Sequence, residues 1–248
     1  MKKIILILTV LAGALAASAQ STPQKEVTSL AAAPKFVLSF NVGTAIPTGS
    51  FGKGDYADET SGFARTGGHF NITGTYFLNK HFGIGALIGY SRWGYKGAQS
   101  LSDGYKEDSG TDSTTLYQHG SNHAWTFLAG PYYRIDAGKK LTVSLRALGG
   151  YTNTHLAGFT IFYEDYTDNA MTQRESSGGA FAWQAGIGLA YHITPRISVQ
   201  INGDYFMSKP DISISYDNFI VNSGRRLSSY NESIDGVTVT GGIVYTLF

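Results

Sequence analysis

The chain has 248 residues, a net charge of +1 and no cysteine. That is long enough for one large β domain, and no second composition regime marks another. The charge balance excludes a nucleic-acid binder that works by phosphate neutralisation, and the lack of cysteine excludes a disulfide framework and thiol chemistry.

Met1-Lys2-Lys3, an apolar run from Ile4 to Ala17 and the small-residue site Ala17-Ser18-Ala19 have the form of a secretory signal peptide over residues 1–19. The run is shorter than the roughly 20 residues that a spanning helix needs. Residues 20–34 have no strand period and read as a flexible periplasmic segment, which leaves 35–248 as the folded domain.

The first strand alternates Phe36, Leu38, Phe40 and Val42 against Ser39, Asn41 and Gly43, and stops at Pro47 and Gly49. A long polar loop follows, from Ser50 to Thr66. Strands two and three form a hairpin, His69 to Tyr90, with a tight turn at Asn79-Lys80. On the third strand Phe82, Ile84, Ala86, Ile88 and Tyr90 alternate with Gly83, Gly85, Leu87 and Gly89. Successive strand side chains point to opposite faces, so one face is greasy and the other mostly bare. A water-facing surface would carry Lys, Glu and Asp. A bare, glycine-rich face fits the inside of a narrow barrel, with lipid against the apolar side.

The same period recurs along the chain. A loop from Gly94 to Asn122 leads to strand four (His123 to Ile135), the turn 136–140, and strand five with Leu141, Val143, Leu145 and Tyr151 outward. A third loop, Thr152 to Gly178, precedes strand six with Phe181, Trp183, Ile187, Leu189 and Tyr191 outward. Strand seven sets Ile197, Val199, Ile201 and Tyr205 outward. In the fourth loop the alternation of Ile212, Ile214 and Tyr216 suggests that strand seven runs on beyond the membrane. Strand eight carries Val237, Val239, Ile243, Tyr245 and Leu247 and ends on Phe248. Phe159 to Tyr163 leaves open an extra strand pair.

The expected fold is therefore all-β: an eight-stranded antiparallel transmembrane barrel with short periplasmic turns and four long extracellular loops. Only 15% of residues are charged, against about 25% in soluble domains. A chain so poor in charge and without a long apolar helix spans a membrane only as a closed barrel, where strand pairing satisfies every backbone group.

Aromatic girdles are expected at both interfaces. The outer one would hold Tyr90, Trp93, Trp125, Tyr151, Trp183 and Tyr205; the inner one Phe36, Tyr76, Phe82, Tyr133, Tyr191 and Tyr245. Phe82 and Tyr90 should stand roughly 20 Å apart along the membrane normal, near the apolar band of about 25 Å. Inside, Arg134, Arg146 and Asp204 form a polar plug in which Asp204 faces both arginines, since buried charges need partners and eight strands leave little open space.

The eight-strand plan, the strand ending Gly43-Thr44-Ala45-Ile46-Pro47-Thr48-Gly49 and the terminal Phe248 resemble the OmpA/OmpX-like outer-membrane β-barrel family. The Ser18-Ala19-Gln20 junction is similar to exported proteins of the Bacteroidetes. The resemblance implies that the last strand with Phe248 is the signal read by the barrel-assembly machinery. Tyr245 lies on the opposite parity to Phe248, so the lipid-facing parity of that strand stays open.

His119-Gly120-Ser121-Asn122 is similar to the motif of outer-membrane lipid A deacylases, in which a histidine activates a serine. Here it falls in an external loop, and no carboxylate follows until Asp136. Gly83-x-Gly85 and Gly186-x-Gly188 lack the helix that a nucleotide fingerprint requires and read as space-makers. No cofactor or metal is expected.

The leading functional expectation is a structural or surface-interaction protein without catalysis, in contact with outer-membrane lipid and lipopolysaccharide, whose extracellular loops meet a ligand. The alternatives are a lipid A-modifying enzyme using His119 and Ser121, and a narrow solute channel.

Overall fold

The computed structural model describes residues 36–58, 60–163, 170–218, 226–231 and 233–247. The expected signal peptide, the segment 20–34 and Phe248 lie outside them. In chain order come β1 (Phe36–Thr48), β2 (Ala64–Phe77), β3 (Phe82–Tyr95), α1 (Ala98–Ser109), β4 (Thr114–His119), β5 (Asn122–Asp136) and β6 (Leu141–Leu156). They are followed by β7 (Gly158–Tyr163), β8 (Ala170–Gln173), β9 (Ser176–His192), β10 (Ile197–Ser208), β11 (Asp211–Asn218), β12 (Arg226–Asn231) and β13 (Ile234–Thr246).

Eight of these strands close into a barrel in the order β1-β13-β10-β9-β6-β5-β3-β2. Closure is antiparallel throughout, because β1 pairs with β2 on one side (Phe40↔Ile72) and with β13 on the other (Phe40↔Ile243). No barrel edge is left to pair with another chain. The short connections 78–81, 137–140 and 193–196 share one end. At the first, the Asn79 side-chain oxygen accepts from the backbone N–H groups of His81 and Phe82 at 2.8 and 2.9 Å, an Asx turn that substitutes for ladder bonds. At the third, Thr194 Oγ1 accepts from Ile197 N at 3.0 Å.

The alternation expected for β3 holds residue by residue. Phe82, Ile84 and Ile88 are 55, 57 and 48% exposed, while Leu87 between them is 2% exposed. The outward set Leu38, Phe40, Ile72, Leu145, Ile187, Val199 and Ile243 is likewise exposed, and the inward set Asn41, Asn71, Thr73, Asn202, Asp204 and Thr240 is buried. A soluble barrel would reverse this. Towards the long-loop end the lumen turns apolar: Leu87, Leu128, Leu148 and Phe206 pack together beneath Phe51, a fully buried residue of the 49–63 connection.

One outer-girdle expectation is corrected here. Trp93 is 4% exposed and sits inside the barrel, edge-on to Phe51 at 5.1 Å between ring centroids. It lies three residues after the outward Tyr90, and an odd step along a strand changes face. Height along the strand suggested the girdle; parity puts the ring in the lumen.

The long connections also differ from the loops expected of them. β4, β7, β8, β11 and β12 form a second sheet in the order β12-β11-β8-β7-β4. It has its own core, in which Phe159, Ile161, Tyr163 and Met171 pack with Leu116 and with Tyr105 of α1. The strand seven expected to run through Ile212 instead breaks at Lys209-Pro210, where proline supplies no ladder N–H. The chain restarts as β11, paired with β12 and β8. Phe159 to Tyr163 does extend, as β7 of this second sheet, and adds nothing to the barrel.

Candidate functional site

Two regions carry chemistry: the lumen and the long-loop sheet. In the lumen, β6 supplies Arg146 and β10 supplies Asp204 and Asn202 from positions facing each other across β9. Arg146 Nε and Nη2 donate to the two Asp204 oxygens, each at 2.6 Å, and Nη1 donates to Asn202 Oδ1 at 3.1 Å. Both charged side chains are nearly inaccessible, 6 and 0% exposed. Such a two-pronged, charge-assisted pair is what a desolvated carboxylate and guanidinium require.

The network then crosses the barrel. Asn202 Nδ2 donates to Asn41 Oδ1 at 3.2 Å, and Gln200 Nε2 to the same oxygen at 2.6 Å. Asn41 Nδ2 donates to Asn71 Oδ1 at 2.7 Å. Asn71 Nδ2 meets His69 Nε2 at 3.0 Å, while His69 Nδ1 meets Ser91 Oγ at 2.8 Å. An amide nitrogen only donates, so Nε2 accepts and the ring proton sits on Nδ1, donated to Ser91. Five strands thus share one hydrogen-bonded layer across the middle of the barrel.

Glycine makes that layer possible. A Cβ at Gly186 would overlap the Asp204 carboxylate, and one at Gly188 would lie 2.6 Å from Asn202 Oδ1. These are the positions of the Gly-x-Gly pattern, and what they clear is room for polar side chains from the neighbouring strand.

Arg134 does not join the layer, which corrects the expectation of two arginines on Asp204. It stands at the short-turn end, where Nε and Nη2 reach the Lys80 carbonyl oxygen at 3.3 and 3.1 Å. Its guanidinium lies 4.3 Å over the Phe77 ring, and Asp136 is 3.9 Å from Nε. The reason is reach: Arg134 is twelve residues before Arg146 across a hairpin, so its pair on β6 is Ser144, and its side chain runs toward the turn. Between Arg134 and the polar layer lies a cavity of about 130 Å³.

On the outer surface, Tyr90, Trp125, Tyr151, Trp183 and Tyr205 lie toward the long-loop ends of their strands. Tyr90 and Trp125 are 4.9 Å apart, Trp183 and Tyr205 5.6 Å. At the other end Phe36 pairs in register with Tyr76, and Phe82 contacts Tyr133 at 4.8 Å. Tyr191 and Tyr245 are exposed on the same outer side.

In the long-loop region, His119 and Ser121 are not partners. His119 Nε2 meets Thr160 Oγ1 at 2.9 Å, and Ser121 Oγ accepts from Arg92 Nε at 2.8 Å. The intervening Gly120 has a φ of +82°, a left-handed conformation that sends the two side chains to different neighbours. The long-loop sheet itself was missed in the sequence. Its signals were the alternations in 159–163 and 212–216, each too short to name its pairing partner.

A closed barrel with its bulky apolar side chains outside and a polar, glycine-cleared interior is a membrane-spanning β-barrel. The chain belongs to the family described as the outer membrane protein beta-barrel domain, which matches residues 7–226, and its place is the outer membrane. Among solved structures it is similar to Neisserial surface protein A, with 12% identity, TM-score 0.43, and coverage of 86% of this chain and 97% of that one. It is similar to Ail, the attachment invasion locus protein of Yersinia pestis, at 12% identity and TM-score 0.44 over 86% and 100% of the two chains. The outer membrane protease OmpT from Escherichia coli is similar at 10% identity and TM-score 0.48 over 86% and 97%. No curated protein matches the sequence.

Proposed function

We propose that this protein is an outer-membrane anchor whose filled barrel carries an ordered platform outside the cell, for contact with a surface partner. The observation behind this reading is that three connections leaving one end of the barrel fold into a sheet with its own apolar core. Loops that serve only to link strands have no need of one. Short turns on the periplasmic side and long connections outside follow the common asymmetry of such barrels. The interior supports an anchor over a pore, because the polar layer and the Phe51–Trp93 cluster occupy it at two heights.

In this reading the two aromatic rows sit at the interfaces with lipid and lipopolysaccharide, and the closing strand β13 is what the barrel-assembly machinery recognises. No catalytic step is assigned, in keeping with the separation of His119 from Ser121. The experiment replaces 98–119 and 158–173 by short Gly-Ser linkers and puts an epitope tag at 110–113 in the parent. The tag should be labelled on intact cells. Cells with the shortened protein should lose attachment to at least one of a panel of glycan, protein and mineral surfaces. Unchanged attachment to every surface, with the barrel still folded, contradicts the proposal.

A further inference from the structure

We propose that the cavity at the short-turn end of the barrel is a binding site for a small carboxylate with a short apolar tail, entering from the periplasmic side. The cavity holds about 130 Å³. Its inner wall is the Arg146 layer, and its outer wall includes Pro195 of the last turn and Arg134.

The chemistry of the wall selects the ligand. Among the described residues no Asp or Glu lines the cavity, whereas two arginines do. Arg146 is neutralised by Asp204. Arg134 spends Nε and Nη2 on one neutral carbonyl, and its nearest carboxylate, Asp136, is 3.9 Å away and 37% exposed. Its Nη1 makes no hydrogen bond among the described residues. Tyr132, 5% exposed, lines the same cavity and sets its hydroxyl beside Thr73 and Thr75. A guanidinium only donates, and a phenol hydroxyl can donate as well as accept. A free guanidinium prong beside a phenol that can turn to donate suits an occupant that accepts twice and carries negative charge, which a carboxylate does. The rest of the wall combines hydroxyls, such as Thr75 and Ser198, with the apolar Val37, Phe77 and Val244. The apolar part of that wall suits a chain of a few carbons, for which phosphate has no counterpart.

The Phe77 ring, 4.3 Å from the guanidinium carbon, and the Lys80 carbonyl hold Arg134 in place, so it loses little rotamer freedom on binding. The site does not depend on what the long-loop sheet contacts.

The test is an amide NMR titration of the folded, isotope-labelled protein in non-ionic micelles, with butyrate as the probe and inorganic phosphate at matched ionic strength as the comparison. Butyrate should give saturable shifts at Thr75, Tyr132 and Ser198, with a midpoint in the millimolar range, and phosphate should give none. Arg134→Gln should weaken butyrate on the order of tenfold, the size expected of a lost charge-assisted hydrogen bond. Tyr132→Phe should weaken it a few-fold while keeping the ring. Should Arg134→Gln fail to fold, Tyr132→Phe decides. Shifts that never saturate, equal response to phosphate, or parent-like titration in the variants would overturn the proposal.

Discussion

Asp204 and Arg146 show what one residue costs inside this barrel. Removing one partner strands a buried charge, so Asp204→Ala should destabilise the folded protein by about 3–5 kcal/mol. Replacing both members by apolar side chains of similar volume should cost far less than the two single changes together. Urea unfolding in micelles reads the difference. Gly186→Ala should also be costly, because its Cβ would overlap the Asp204 carboxylate. That cost should shrink in the Asp204→Ala background, where the clashing atoms are gone. A second residue-scale prediction concerns tryptophan. In single-tryptophan variants placed in bilayers with brominated acyl chains, Trp125 and Trp183 should be quenched and Trp93 should not. Parity carries this distinction, and it was present in the sequence: Trp93 falls an odd step from Tyr90. What the sequence did not display was Phe51, the loop residue that gives a lumenal tryptophan something to pack against.

At the scale of elements, the barrel strands were legible because each repeats one period over a dozen residues between turns rich in Gly, Pro, Asn and Asp. The long-loop sheet was not, for three reasons. Its strands are short, their partners are far apart in sequence, and α1 shows a single buried apolar residue, Leu101, as its helical signal. The pairing of Arg146 with Asp204 was readable from alternation and charge, but the exclusion of Arg134 was not, since it depends on how far up each hairpin the two arginines stand. Because the second sheet has its own core, its stability should be separable. Ile161→Ala, at a fully buried site, should cost about 2–5 kcal/mol of loop-sheet stability, seen as faster proteolysis within 98–175. The heat-modifiable migration of the barrel should stay unchanged. The 49–63 connection has a pH-dependent clip: the Lys53 ammonium, then the Thr60 hydroxyl and N–H, bind Asp58 and pull its carboxyl down to about 2. A depressed carboxylate stabilises the folded loop above its unfolded value of about 4. That contribution is lost as pH falls through the folded value. Carboxyl NMR of Asp58 should titrate near 2, and a midpoint near 4 would show that the clip is absent.

For the whole molecule, a lumen filled at two heights implies that reconstituted protein adds no steady ion conductance to a planar bilayer. The same packing makes the inside and outside of the barrel chemically opposite, which is the claim on which membrane placement, girdles and anchoring all depend. Nitroxide labels placed one at a time from Phe82 to Gly89, in bilayer-embedded protein, test it most directly. Collision with dissolved oxygen should rise at Phe82, Ile84, Ala86 and Ile88 and fall at Gly83, Gly85, Leu87 and Gly89, a two-residue rhythm with lipid on the even side. The opposite phase, or no rhythm at all, would contradict the account.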